Sequence, residues 1–212
     1  GGGIGCTFNT NSLIQRNYIA DNTSYYGGGI DMVGDNSLVL NNVICSNSAV
    51  YEGGGIVFMG GANTLCISNL IIGNHTAYTN AGGSGGGVCC EQESEPSFLN
   101  CTFLNNRARI GGGAICCMAS SIYIRNSILW GNRAGEYGDE VELRHYKHPS
   151  RMDIAYSTIE GGLSSVYKSY GNSYIIAGPG LMKSDPLFVD GPGGDCHLRY
   201  GSPCRDAGDN GE

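Results

Sequence analysis

The sequence predicts an all-β fold, a parallel β-helix: a single-stranded solenoid of about six rungs of about 26 residues each. Three observations carry this. A glycine corner restarts at Gly1-Gly2-Gly3-Ile4, Gly27-Gly28-Gly29-Ile30, Gly53-Gly54-Gly55-Ile56 and Gly85-Gly86-Gly87-Val88. Between the corners, apolar and polar residues alternate over three to five positions, the period of a half-buried strand and not of a helix. Each unit then closes on a fixed Asn: Ile19-x-x-Asn22, Ile44-x-x-Asn47, Ile71-x-x-Asn74, Phe103-x-x-Asn106 and Leu129-x-x-Asn132.

Taken in order, each unit opens on glycines, which accept the backbone angles of a tight corner. The first apolar stretch follows, giving the column Ile4, Ile30, Ile56, Val88 and Ile115. The second stretch aligns Ser12-Leu13, Ser37-Leu38, Thr64-Leu65 and Ser121-Ile122. The third ends at the Asn, an amide that donates to one neighbour and accepts from the other, which predicts a ladder at one corner. Three such strands bury nothing alone; stacked about 4.8 Å apart they share an interior, and six rungs make a rod of roughly 30 Å. The third unit carries its extra residues at Thr79-Asn80-Ala81-Gly82-Gly83-Ser84, a corner insertion. Residues 1–160 read as rungs, the last degenerate, and 161–212 as a cap of the same domain. The abrupt start at Gly1 reads either as missing upstream repeats or as an open sheet end suited to end-to-end association.

Composition narrows the function classes. The 36 glycines are more than double the usual share of about 7% and lack the collagen period. With 41% apolar residues a continuous core can form. No apolar run is long enough for a membrane helix. The net charge is −7, and residues 1–106 hold one basic residue, Arg16, against seven acids, which argues against nucleic acid. The glycine clusters lack a phosphate-loop Lys.

Two resemblances follow from particular residues. Gly112-Gly113-Ala114-Ile115 with Phe103-Leu104-Asn105-Asn106 is similar to the GGAI and FxxN motifs of polymorphic outer membrane protein repeats. Asn126-Ser127-Ile128-Leu129-Trp130-Gly131-Asn132, Tyr156-Ser157-Thr158-Ile159-Glu160-Gly161-Gly162, Ser184-Asp185-Pro186-Leu187-Phe188-Val189-Asp190 and Gly201-Ser202-Pro203-Cys204-Arg205-Asp206-Ala207-Gly208 resemble the choice-of-anchor Q region of bacterial right-handed parallel β-helix surface proteins. The resemblance implies right-handed coiling and a secreted or cell-surface protein, adhesive or acting on glycans. The expected partner is therefore a glycan or cell-surface polysaccharide. The expected role is structural or adhesive and non-catalytic, with two alternatives: a polysaccharide lyase or glycoside hydrolase, and a self-assembling fibre or surface-layer subunit.

Candidate ligand residues fall in three groups. The residue after the ladder Asn is His75, Arg107 and Arg133 in successive units, a cationic row that suits either open solvent or an anionic sugar substituent. Tyr26, Tyr51 and Tyr78 lie four residues past that Asn and Tyr137 five, fitting either corner packing or a platform for sugar rings. Arg144-His145-Tyr146-Lys147 sits in a stretch where the repeat breaks down, either an ordinary exposed insertion or a ligand loop, with Arg144, His145 or Lys147 a possible base for the enzyme alternative. Alternation would put Glu91, Glu93 and Glu95 on one outward face, usually just a solvated edge but also a calcium site; otherwise no cofactor is expected. Ten cysteines without a CxxC pair fit an oxidised protein or small buried apolar groups. Cys89-Cys90 and Cys116-Cys117 lie one rung apart, one of each pair facing in, and Cys196 and Cys204 bracket a short loop; these are the disulfide candidates.

Overall fold

A computed structural model of the chain describes residues 1–8, 10–77, 82–209 and 211. The glycine corners and alternating strands coil into a solenoid of parallel sheets. Sheet A stacks Ile4–Thr7, Ile30–Val33, Ile56–Met59, Val88–Cys90, Ile115–Met118, Val141–Arg144 and Tyr167–Lys168. Sheet B stacks Leu13–Gln15, Leu38–Leu40, Leu65–Ile67, Ser97–Leu99, Ser121–Arg125, Arg151–Ala155 and Tyr174–Ala177. Sheet C runs from Tyr18–Ala20 through Val43–Cys45, Leu70–Ile72, Thr102–Leu104 and Ile128–Trp130 to Thr158–Ile159. A fourth sheet, D, contains Thr23–Tyr26, Ser48–Glu52, His75–Thr76, Arg107–Ala108 and Arg133–Ala134. The apolar pattern misses sheet D because three of its five strands, His75–Thr76, Arg107–Ala108 and Arg133–Ala134, are only two residues long and open on a polar side chain. Parallel pairing continues past 160 in sheets A and B.

The expected first column is one interior row: Ile4, Ile30, Ile56, Val88 and Ile115 pair in register, and Val141 extends it. The second column needs correction. Leu13, Leu38 and Leu65 align with Ser97 and Tyr123, not Ile122, because strand Ser121–Arg125 begins two residues early. Those leucines face outward, and the interior of sheet B is Ile14, Val39, Cys66, Phe98, Ile124 and Ile154. A one-residue slip reverses every facing in a strand. Phe58, Phe98 and Phe103 meet edge-on at 6.1 and 5.3 Å in the middle of the core, where full burial of each ring contributes roughly 1.5–3 kcal/mol.

The Asn corner forms the expected ladder. Asn22 Nδ2 donates to Asn47 Oδ1 at 2.9 Å, Asn47 to Asn74 at 3.0 Å, Asn74 to Asn106 at 3.0 Å and Asn106 to Asn132 at 2.9 Å. Each buried Oδ1 also accepts the backbone N–H of the preceding ladder residue. Glu140 terminates the stack, accepting from Asn132 Nδ2 at 2.7 Å. A second, shorter ladder joins Asn17, Asn42 and Asn69 between sheets B and C. The glycine corner packs backbone on backbone: Gly53 has φ 68°, and a Cβ there would collide with the Ile56 carbonyl.

Beyond the rungs, Leu163, Ile175 and Leu181 pack against the end of the core, with the 3₁₀ turn Gly162–Ser165 among them. The chain then returns along the outside of sheet C through the antiparallel pair Phe188–Asp190 and Asp195–Leu198. Asn105 Nδ2 donates to Gly191 O at 3.1 Å, and Asn126 exchanges two 2.9 Å bonds with the Asp209 backbone.

Candidate functional site

The outward face of sheet A departs from the polar surface expected of an exposed strand. Register places Asp31, Val57, Cys89, Cys116 and Glu142 in one outward row. Val57, Cys89 and Cys116 are nevertheless fully buried. Charged side chains cover them. Glu142, 1% exposed, receives both Arg144 Nε at 3.0 Å and Arg144 Nη2 at 2.8 Å, and Arg144 also donates to Ser84 Oγ at 3.0 Å. Glu52 arrives from the end of sheet D, where its backbone bridges to Ser84 just before the Gly53 corner. Burial pushes the Glu52 carboxyl above its usual range, against the opposing pull of Arg144. Glu91 follows directly on Val88–Cys90, is itself buried, and accepts from the Cys89 thiol at 3.5 Å.

Above this floor lies an open groove of about 720 Å³. Tyr26 stands at one end and Tyr146, Lys147 and His148 at the other, with Glu52, Glu91, Met59 and Met118 between them. These residues come from successive rungs, so the groove follows the solenoid axis. His148 Nε2 lies 3.6 Å from Glu93 on the rim, and Lys147 Nζ sits 5.4 Å from the centre of the Tyr146 ring.

The sequence-derived candidates distribute unevenly over this surface. His75, Arg107 and Arg133 do form one register row on sheet D, all exposed. Arg133, however, turns to Glu160 at 2.9 Å, while His75 and Arg107 share a separate shallow recess with Thr76 and Arg109. The tyrosines do not make a continuous row. A bulge in sheet D pairs Tyr26 with Glu52, so Tyr51 falls between Tyr25 and Tyr26, at ring distances of 5.8 and 5.3 Å. Tyr137 stacks instead on Tyr167 at 4.6 Å, and Tyr78 lies outside the described residues. Arg144 is the last residue of a sheet A strand and not part of a loop. His145 is not among the residues lining the groove: its ring lies beside Gly171 and its backbone N–H donates to Ser169 Oγ at 2.7 Å, whereas Tyr146 and Lys147 line it.

Glu91, Glu93 and Glu95 do not share a strand face. Gln92 and Glu93 take positive φ and turn the chain, which leaves Glu91 covered on the groove floor, Glu93 on the rim and Glu95 out of the groove. All ten cysteines are free thiols. Cys89 and Cys116, and Cys90 and Cys117, are direct register neighbours, the first pair outward and the second in the core. Parallel neighbours keep their Cβ atoms near the strand spacing of about 4.8 Å, wider than the roughly 3.8 Å of a disulfide. Cys204 contacts Thr158 Oγ1 at 3.2 Å and Cys196 donates to Gly194 O at 3.7 Å, so this pair is also unjoined.

Sequence reasoning missed Glu52, Ser84 and Glu142. Glu142 left no distinct signal, since an acid between Val141 and Leu143 is what alternation expects at an outward position. Glu52 and Ser84 become neighbours only through the bulge and the long third unit. Among the described residues, no helix is long and apolar enough to cross a membrane. Comparison with curated proteins and with solved structures finds no match. The family described as "Right handed beta helix region" matches residues 24–147, more than half of the chain and all of the central rungs; the chain belongs to that family.

Proposed function

We propose that the protein is a glycan-associated β-helix of the cell surface or extracellular space that seats a saccharide chain in the groove on sheet A. One observation carries this reading: two exposed aromatic rings, Tyr26 and Tyr146, flank hydrogen-bonding carboxylates in an open trough along the axis. Sugar rings offer an apolar face to stack on tyrosine and hydroxyls for carboxylates to accept from. The acidic floor favours neutral or amino sugars over uronates. The motif resemblances to surface-protein repeats and anchor regions point the same way. Titration calorimetry with neutral, amino and acidic oligosaccharides is the test. Tyr146→Ala is expected to weaken the bound class about tenfold or more, and no binding by any class would remove the reading.

A second reading, hydrolysis of the bound chain, is favoured by Glu52 and Glu91, which bring carboxylate oxygens within 4.8 Å of one another. That is near the separation of about 5–5.5 Å used by retaining glycosidases. Release of reducing ends from a bound oligosaccharide, abolished by Glu91→Gln, would establish it.

A further inference from the structure

We infer that Glu52, Cys89 and Glu91 form a binding site for a thiophilic divalent cation of the zinc type. One carboxylate oxygen from each Glu and the Cys89 Sγ all lie within 4.8 Å of one another, so a single ion can reach all three after small side-chain rotations. In a tetrahedral zinc site such ligands sit about 3.5 Å apart. Three protein ligands leave a fourth position, and because Glu52 and Glu91 line the groove a fourth ligand would enter from there. One sulfur among the ligands selects zinc or a similar late transition ion; calcium and magnesium require more oxygens.

The charge balance points independently to a cation. Three carboxyl groups, Glu52, Glu91 and Glu142, crowd the floor, and Arg144 is committed to both oxygens of Glu142 and to Ser84. Glu91 is 9% exposed, and its side-chain partner is a neutral thiol. The basic groups on the rim are turned elsewhere, Lys147 over Tyr146 and His148 toward Glu93. Buried carboxylates need a counter-charge, and Arg144 supplies one for three. Cys89 lies on the outward side of sheet A, where its thiol meets the Glu91 carboxylate at 3.5 Å and not the apolar core. Metal entry displaces the thiol proton to solvent as the sulfur–metal bond forms.

The site does not depend on glycan binding, and the test keeps the two apart. The whole chain, reduced with a phosphine and stripped with chelator, is titrated with Co²⁺ and then Zn²⁺ in the absence of sugar. One Co²⁺ per chain is expected, with a thiolate-to-cobalt charge-transfer band that Zn²⁺ bleaches. Cys89→Ser should abolish the band. Glu52→Gln, a half-buried position that leaves the thiols in place, should weaken cobalt by more than the roughly 10–100-fold typical of outer partners. Cys101→Ser, in the core away from the groove, should change neither. Absence of the band, or a band that survives in Cys89→Ser, overturns the site. So does Co²⁺ affinity equal in wild type and Glu52→Gln. Oligosaccharide calorimetry on the metal-free protein reads the glycan proposal separately.

Discussion

Glu140 is a residue whose ionisation is coupled to folding. It is 1% exposed at the end of the Asn ladder, and burial pushes its carboxyl up to about 8 against the Asn132 hydrogen bonds that favour the anion. Glu160 adds to the upward push, while Arg133 holds Glu160 low. A proton bound in the native state and lost from the unfolded chain near 4.5 favours folding at low pH. Stability from this group is therefore complete below about 4.5 and falls as pH rises through about 8, by up to about 1.4 kcal/mol per unit. Urea unfolding across that window should show the decline in wild type and a flatter profile in Glu140→Gln. Within the ladder, Asn74→Ala removes the acceptor of two Asn47 donors and the donor to the Ile44 carbonyl, all buried. A loss of about 2–5 kcal/mol is expected, against a smaller one for Asn22→Ala at the partly exposed end.

At the scale of the rung, corner geometry outweighs side-chain propensity. A Cβ on Gly54 would run into the carbonyls of Gly86 and His75. Gly54→Ala is expected to lower the thermal midpoint more than Gly61→Ala, where nothing lies near the added carbon, although Gly61 also has positive φ, 75°. Calorimetry on the two variants compares them. This scale also shows what could be read in advance. Columns anchored by glycine and Asn were legible, because those residues fix both register and facing. The second stretch was misaligned at Ile122 since serine and leucine carry no such anchor, and sheet D escaped notice because His75-Thr76 and Arg107-Ala108 are too short and polar to alternate. The basic row was correctly placed, yet Arg133 was already committed to Glu160. Arg107→Ala with Arg133→Ala should accordingly leave groove ligands unaffected and weaken only acidic polysaccharides, most visibly at low salt; calorimetry at two ionic strengths separates the outcomes.

Across the whole molecule, the tail links rungs that are distant in sequence. Asn126 alone contributes two bonds to the Asp209 backbone, 83 residues away. Asn126→Ala is expected to speed hydrogen exchange and proteolytic nicking in the tail while sheets A to C keep their protection. Equal loosening throughout would mean that tail and rungs unfold as one unit. None of this long-range docking could be seen in the sequence, since Asn105 and Asn126 look like ordinary turn residues there.

The sheets stack so that backbone hydrogen bonds and Asn amides alike point along the solenoid axis. That alignment makes the molecule mechanically anisotropic. Force applied to the two ends along the axis loads one rung interface at a time and peels turns off in sequence, each at the modest force that a few bonds sustain. Force applied across the axis, between two residues of neighbouring rungs, must shear a whole row at once. Single-molecule pulling through paired attachment points should yield a sawtooth of small, evenly spaced releases in the first geometry and a single larger rupture in the second. The way such a rod is tethered, end-on or side-on, therefore decides how much load it bears.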